Sequence, residues 1–284
     1  MNIWDVNHKI DPAINRLVRG YVKRGCSANP DEDWREMSDE DFWFHYCCCA
    51  FSIGGENYQT VYSRVCLLKE RGLLADIHEK YGDSASYKQA VHEVLKDRSS
   101  GLNRARRHEQ HANRLARSVF SMKAAGSSFR EILEHHASDL QFARQDWSSA
   151  RSVREKLVDE TSELLPFQLL GFGPKSTSMF LRDIGYNFDI AILDEVHVVN
   201  KYMKQVREIA PSMMEIDPGE VYLSYLVDYT MRKGKDRGLT RIGYESLERE
   251  FQNLAKQMDV SAKYLDEAVW TVFNARSKGT DPCP

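Results

Sequence analysis

The chain has 284 residues, of which 42% are hydrophobic and 29% are charged, so it is long enough to bury a core without disulfides or metal. No stretch approaches the roughly 20 apolar residues that cross a bilayer, and residues 1–17 contain no basic segment leading into an apolar run. We therefore expect a cytoplasmic protein with no membrane partner. The net charge of -3 argues against uniform attraction to nucleic acid, although it allows a local basic surface.

Apolar residues recur at helical spacing through most of the chain, which predicts an all-α fold. Two early helices are predicted over residues 41–50 and 56–70. Gly54 and Gly55 form a break between them, and Gly72 ends the second.

The cysteines and histidines do not form a recognised metal motif. Cys47, Cys48 and Cys49 are consecutive and no CxxC spacing exists among the six cysteines, so we expect reduced thiols, a buried helix segment at 47–49 and no cofactor or metal. We expect exposed helix positions for the four paired histidines, which are His108, His111, His135 and His136.

A basic segment runs from Lys96 to Lys123, with eight basic residues against two acids. Its arginines either contact phosphate or form the solvated face of a helix, and the sequence favours neither interpretation. The arginines that we take as candidate DNA contacts are Arg104, Arg106 and Arg107.

Residues 164–185 have the pattern of a helix, a tight turn and a second helix. Gly171 and Gly173 allow unusual backbone angles in the turn, Pro174 suits the first turn of a helix, and Gly185 is a natural stop. The turn presents backbone N–H groups to which a phosphate oxygen can come close. Taken alone, the same pattern is also typical of an ordinary corner between two helices.

Lys175 lies at the start of the second helix, and Asp194 follows nineteen residues later. This pattern, from Leu170 through Lys175 to Asp194, resembles the signature of the helix-hairpin-helix DNA glycosylases. Within that superfamily the chain is most similar to the archaeal-type oxidised-guanine glycosylase/lyases, through residues 180–186 and 191–194. Residues 42–58 and 264–270 carry weaker likenesses.

The chain departs from the subgroup where Glu195 and Val196 separate Asp194 from His197, and it has no cysteines for an iron-sulfur loop.

The resemblance implies catalytic roles for Lys175 and Asp194. A carboxylate beside the sugar stabilises the positive charge that develops when the glycosidic bond breaks, and a neutral lysine amine attacks the sugar carbon to form an imine. Asp194 is also suited to cap the following helix, and Lys175 to contact phosphate. The residues predicted to bind DNA at the hairpin are Gly171, Phe172, Gly173 and Ser176.

A glycosylase of this type rotates a base out of double-stranded DNA, so it needs a pocket for that base. The candidates are Phe44, Ser52, Asn57, Gln59, Asp266 and Trp270.

We expect a monomer of two helical subdomains with DNA in the cleft between them. Residues 40–188 would carry the hairpin at about 163–185, and residues 1–39 and 189–284 would form the other part. The substrate is either oxidised guanine or a modified pyrimidine such as glucosylated hydroxymethylcytosine in phage DNA. The alternative function is a non-catalytic helix-hairpin-helix protein that binds DNA.

Overall fold

The structure is a computed structural model that describes residues 2–23, 33–52, 58–97, 107–136, 153–154, 157, 169–215 and 241–282. Every regular element within these ranges is a helix, which confirms the predicted all-α class. None of these helices is long and apolar enough to cross a membrane. Asn57, Arg104, Arg106, the break at residues 54–55 and the predicted first helix of the hairpin lie outside the described residues.

The helices are numbered in chain order over the described residues. A π-helix, Glu195–Met203, and a short 3-10 turn, Pro211–Met213, are not included in this numbering. The α-helices are α1 Ile3–Ile10, α2 Pro12–Lys23, α3 Asp39–Phe51, α4 Tyr58–Glu70, α5 Ile77–Lys80, α6 Ser84–Lys96, α7 His108–Ala124, α8 Phe129–His136, α9 Pro174–Asp183, α10 Lys204–Ile209, α11 Arg241–Lys256 and α12 Ala262–Ser277.

The chain divides into two compact units. Unit 1 comprises Met1–Asp31 and Phe188–Pro284, and unit 2 comprises Glu32–Asn187. Residues 33–39, which the sequence analysis assigns to the part formed by both chain ends, therefore belong to unit 2. They are held there because the Trp34 ring lies 5.7 Å from that of Tyr186 and because Arg130 donates to the backbone carbonyls of Arg35 and Met37.

Helix α3 is the central helix of unit 2 and packs against α4, α7 and α9. It begins two residues before the predicted start, because Ser38 and Asp41 form a capping box around its first turn. Cys47, Cys48 and Cys49 are fully buried in this helix, as predicted. Burial on nearly all sides explains why the helix carries so little polar surface in its second half.

The prediction that His108 and His111 occupy exposed positions on α7 is wrong for His111. Its side chain is 1% exposed, and its ring stacks on Phe51 with 4.4 Å between ring centroids. His108 is half-buried, and its ring lies 4.8 Å from that of His92 on α6. Both positions lie where α7 packs against its neighbouring helices, α3 and α6.

Unit 1 is built around one apolar cluster. Helices α1, α2, α11 and α12 and the π-helix contribute its side chains, and Tyr202, Phe251 and Leu265 are among the fully buried ones. This cluster supports the extended segment that leads into Asp194, because Ala191 and Leu193 belong to it.

Candidate functional site

The hairpin turn in unit 2 depends on glycine at Gly171 but not at Gly173. Gly171 has φ +93°, and a Cβ there would lie 3.3 Å from the Ala50 carbonyl oxygen and 3.3 Å from Cδ of Arg114. Gly173 instead has an extended backbone with open space beside it. The expectation that both glycines adopt angles closed to other residues is therefore wrong for Gly173, which any residue except proline could replace without backbone strain.

Two side chains hold the peptide groups of the turn in place. The Tyr46 hydroxyl donates to the carbonyl of Leu170 at 2.7 Å, and Oγ of Ser118 accepts the N–H of Leu170 at 2.9 Å. The two hydroxyls are themselves 2.8 Å apart, so Ser118 donates to Tyr46 and closes a ring of hydrogen bonds. Both polar groups of Leu170 are thereby satisfied by α3 and α7, which fixes the turn before any ligand binds.

The start of α9 follows directly from this turn. Oγ of Ser176 accepts the N–H of Gly173 at 2.9 Å and donates to the carbonyl of Gly171 at 3.0 Å, so the predicted DNA-binding hydroxyl of Ser176 shapes the turn itself. Lys175 is the second residue of α9 and is half-buried. Lys175 and Ser176 lie in the first turn of α9, where the backbone N–H groups and the positive end of the helix dipole are suited to an anion.

The ring of Phe172, a predicted DNA contact, is buried. It is 3% exposed and packs between the rings of Tyr46 and Phe180, at 4.9 and 5.3 Å. Phe172 therefore anchors the turn to the core of unit 2, and a contact of its ring with DNA is excluded in this arrangement.

Asp194 in unit 1 caps the π-helix, as the sequence predicts. Its Oδ1 accepts the N–H of Val196 at 3.0 Å and that of His197 at 2.9 Å, and its own carbonyl accepts the first hydrogen bonds of the helix. The carboxylate is half-buried. Two backbone donors therefore fix the orientation of the carboxylate at the positive end of the helix.

The segment before Asp194 is held by two side chains of α11 that the sequence analysis missed. The Tyr244 hydroxyl accepts the N–H of Leu193 at 3.1 Å and donates to the carbonyl of Ala191 at 2.8 Å, and the Glu248 carboxylate accepts the N–H of Ala191 at 3.1 Å. All these groups are buried. No local signal could reveal these contacts, because their partners lie more than 50 residues apart in sequence.

Of the two predicted base-pocket residues in unit 1, Trp270 is accessible and Asp266 is not. Trp270 is 45% exposed and meets the edge of His197 at 6.4 Å between ring centroids, whereas Asp266, one turn earlier on α12, is buried. Val196, next to His197, is also exposed. The apolar surface of Val196 and the aromatic pair of His197 and Trp270 therefore adjoin the start of the π-helix, where Val196 and His197 are the second and third residues after Asp194.

The predicted base-pocket residues of unit 2 have different surroundings. Phe44 is half-buried and packs edge-on to Tyr62, and Gln59 is exposed on α4. The hydroxyl of Ser52 donates to the carbonyl of Cys48, so it serves the end of α3. Of the candidate arginines, Arg107 is exposed at the start of α7.

An open groove of about 670 Å³ lies elsewhere in unit 2. It is lined by the start of α3, by α5, by the end of α7 and by the start of α8. None of the predicted site residues lines it. The groove is therefore separate from the hairpin turn.

Comparison with known proteins identifies the fold. No protein-family profile and no curated protein sequence matches the chain. The structure of the Methanocaldococcus jannaschii 8-oxoguanine DNA glycosylase matches it with a TM-score of 0.58 and 16% sequence identity, over 95% of this chain and 97% of that one. A structure of the 8-oxoguanine glycosylase/lyase from the same organism, in complex with a 15mer DNA that contains 8-oxoguanine, matches with a TM-score of 0.52 and 16% identity over 96% of each chain. The chain thus has the all-helical fold of the archaeal 8-oxoguanine DNA glycosylase.

Proposed function

We propose that this protein is a DNA glycosylase that excises a modified base from double-stranded DNA, with Lys175 and Asp194 as its catalytic residues. One observation carries the proposal: the structure of a DNA glycosylase matches this chain over 95% of its length. The buried contacts of Tyr46, Ser118 and Tyr244 further support it, because they hold the hairpin turn and the segment before Asp194 each in one conformation.

Asp194 would act on the charge that forms at the sugar. Breaking the bond between C1′ and the base leaves a cation-like sugar in the transition state, and a fixed carboxylate stabilises it without having to reorganise. The two N–H bonds to Oδ1 serve this role, because they orient the carboxylate before the substrate arrives.

Lys175 would act as the nucleophile. Its neutral amine attacks C1′, the C1′–N bond breaks, and the base leaves with the bonding electron pair and takes up a proton. Loss of the amine proton and opening of the sugar ring then give an imine between Lys175 and C1′. Abstraction of a C2′ proton breaks the C3′–O bond and releases the 3′ phosphate, so the same lysine supplies an abasic-site lyase step.

Base access requires that the target nucleotide leave the duplex. The exposed ring of Trp270 is suited to stack on the extruded base, and the N–H groups at the start of α9 are suited to hold a backbone phosphate. We propose that the protein acts as a monomer on double-stranded DNA and needs no cofactor for this chemistry.

Two substrate classes are proposed. The matched glycosylases act on 8-oxoguanine, which makes oxidised guanine the first candidate. The second is a modified pyrimidine such as glucosylated hydroxymethylcytosine in phage DNA, which a defence enzyme would remove. The exposed Val196 and the half-buried His197 after Asp194 favour testing the second class, because they mark the position where the sequence departs from the oxidised-guanine subgroup.

Borohydride trapping tests the proposal. Wild-type protein is incubated with duplexes that contain 8-oxoguanine and with DNA that contains glucosylated hydroxymethylcytosine, and borohydride reduces any imine to a stable protein–DNA link. The proposal predicts a trapped complex and free base on one of these DNAs. It also predicts that Lys175→Ala abolishes the complex, whereas Lys123→Ala, which removes an exposed lysine of the same unit, leaves it intact.

The alternative is a non-catalytic protein that grips DNA through the hairpin. It predicts binding to both DNAs with neither free base nor a trapped complex. Mass spectrometry of the released base distinguishes the two functions and identifies the substrate class in the same reaction.

A further inference from the structure

Cationic side chains gather around the buried His111 in unit 2. Arg107 is the N-cap of α7, four residues before His111, and Arg114 lies three residues after His111 on the same face of the helix. Arg64 of α4 and His108 complete the group, which we call the arginine cluster. Arg107 is exposed, Arg114 and His108 are half-buried, and Arg64 is buried, so the cluster extends from the surface inward.

The electrostatic effect of the cluster is visible at His111. Burial, followed in order of effect by Arg114, Arg64, Arg107 and His108, lowers the pKa of His111 from 6.5 to about 3. The imidazole therefore stays neutral near pH 7. The guanidinium groups remain charged, because arginine does not lose its proton in proteins. A concentration of positive charge of this kind attracts anions.

The cluster adjoins the hairpin turn. Nη1 of Arg114 donates to the carbonyl of Ala50 at 3.5 Å, and Cδ of Arg114 lies 3.3 Å from the Cβ position of Gly171. The stem of Arg114 thus packs against the same turn that precedes the N–H groups of α9. Its planar guanidinium carries five N–H donors, so it can contact a carbonyl and a phosphate together.

We infer that Arg107 and Arg114 each bind a backbone phosphate of DNA beside the hairpin, at sites distinct from the start of α9. The inference rests on the proposed function in taking DNA as the ligand. The recognised chemistry is the phosphodiester group, so the contact is independent of base sequence and of the lesion. Arg64 supports it through its charge.

The salt dependence of binding to an undamaged duplex tests these sites. Each lost phosphate contact reduces the slope of log K against log salt by about 0.9. We expect Arg107→Gln and Arg114→Gln each to lower the slope by about 1, and the double variant by about 2. Arg114→Lys keeps the charge and should keep most of the slope. Lys123→Gln removes one exposed charge from the opposite face of α7, and its slope should equal that of the wild type.

Unchanged slopes in both glutamine variants would overturn the inference. A lower melting temperature for Arg114→Gln with an unchanged slope would also overturn it, since that result assigns Arg114 to packing alone. Failure of the proposed function has a different signature. If the slopes fall as expected while the wild type releases no base from any of the modified DNAs, the phosphate sites stand and the glycosylase activity does not.

Discussion

Replacing Tyr244 with phenylalanine removes the hydroxyl that holds the segment before Asp194. That hydroxyl accepts the N–H of Leu193 and donates to the carbonyl of Ala191, and no other change in side-chain shape accompanies the substitution. We predict that Tyr244→Phe both destabilises the protein and slows base release, because Leu193 is the residue immediately before Asp194.

The magnitude follows from the burial of these groups. Tyr244, Ala191 and Leu193 are all at most 2% exposed, so a backbone N–H left without an acceptor costs about 1–3 kcal/mol. If the segment relaxes, the Asp194 carboxylate moves and stabilises the transition state less well. A loss of about 1.4 kcal/mol in that stabilisation lowers the rate tenfold. We therefore expect a loss of about 1–3 kcal/mol in the free energy of unfolding and a single-turnover rate that is slower by about tenfold.

The assay is single-turnover base release at saturating enzyme, paired with urea denaturation. Tyr202→Phe is a matched control, because its hydroxyl donates to Asn7 at 2.9 Å within the same core but does not touch the Asp194 segment. The control should lose stability and keep the wild-type rate. If Tyr244→Phe loses as much stability as the control yet also keeps the wild-type rate, the positioning of Asp194 by Tyr244 is refuted.

Two further substitutions test the environment of the hairpin. Gly171→Ala should destabilise the protein by more than the roughly 1–2 kcal/mol expected of Gly126→Ala. Both glycines have positive φ, but only at Gly171 would an added Cβ contact Ala50 and Arg114. Urea denaturation measures the two losses of stability, and equal losses would argue against that contact. Between pH 6.5 and about pH 3, His111 binds a proton in the unfolded chain but not in the folded protein. The free energy of unfolding should therefore fall by up to about 1.4 kcal/mol per pH unit as the pH is lowered through this range. His111→Phe should reduce this dependence on pH, and the exposed control His135→Gln should not.

Local signals predicted the elements that carry the candidate site. Pro174 at the start of α9, Gly185 with φ +72° after its end and Asp194 as a cap each act through neighbours within a few residues. Their structural consequences were therefore readable from the sequence. The burial of Cys47, Cys48 and Cys49 in one helix segment was likewise predicted from a local feature, the run of three consecutive cysteines.

Contacts between distant residues were not predictable in this way. The ring of hydrogen bonds between Tyr46, Ser118 and Leu170 joins residues as far as 124 apart in sequence. The burial of His111 follows from helix packing, since a histidine on a polar helix looks the same in sequence whether it faces solvent or a neighbouring ring. The π-helix after Asp194 likewise has no sequence pattern that distinguishes it from the α-helix expected there.

Base release by Asp194→Asn tests the central claim most directly. Asparagine is as good a helix cap as aspartate, so the variant should keep the fold while losing the negative charge. On the modified DNA that the wild type processes, we predict a single-turnover rate at least about 100-fold slower, the scale of losing one electrostatic contact to a transition state. A folded Asp194→Asn protein that releases base at the wild-type rate would contradict the assignment of Asp194 as the stabilising carboxylate.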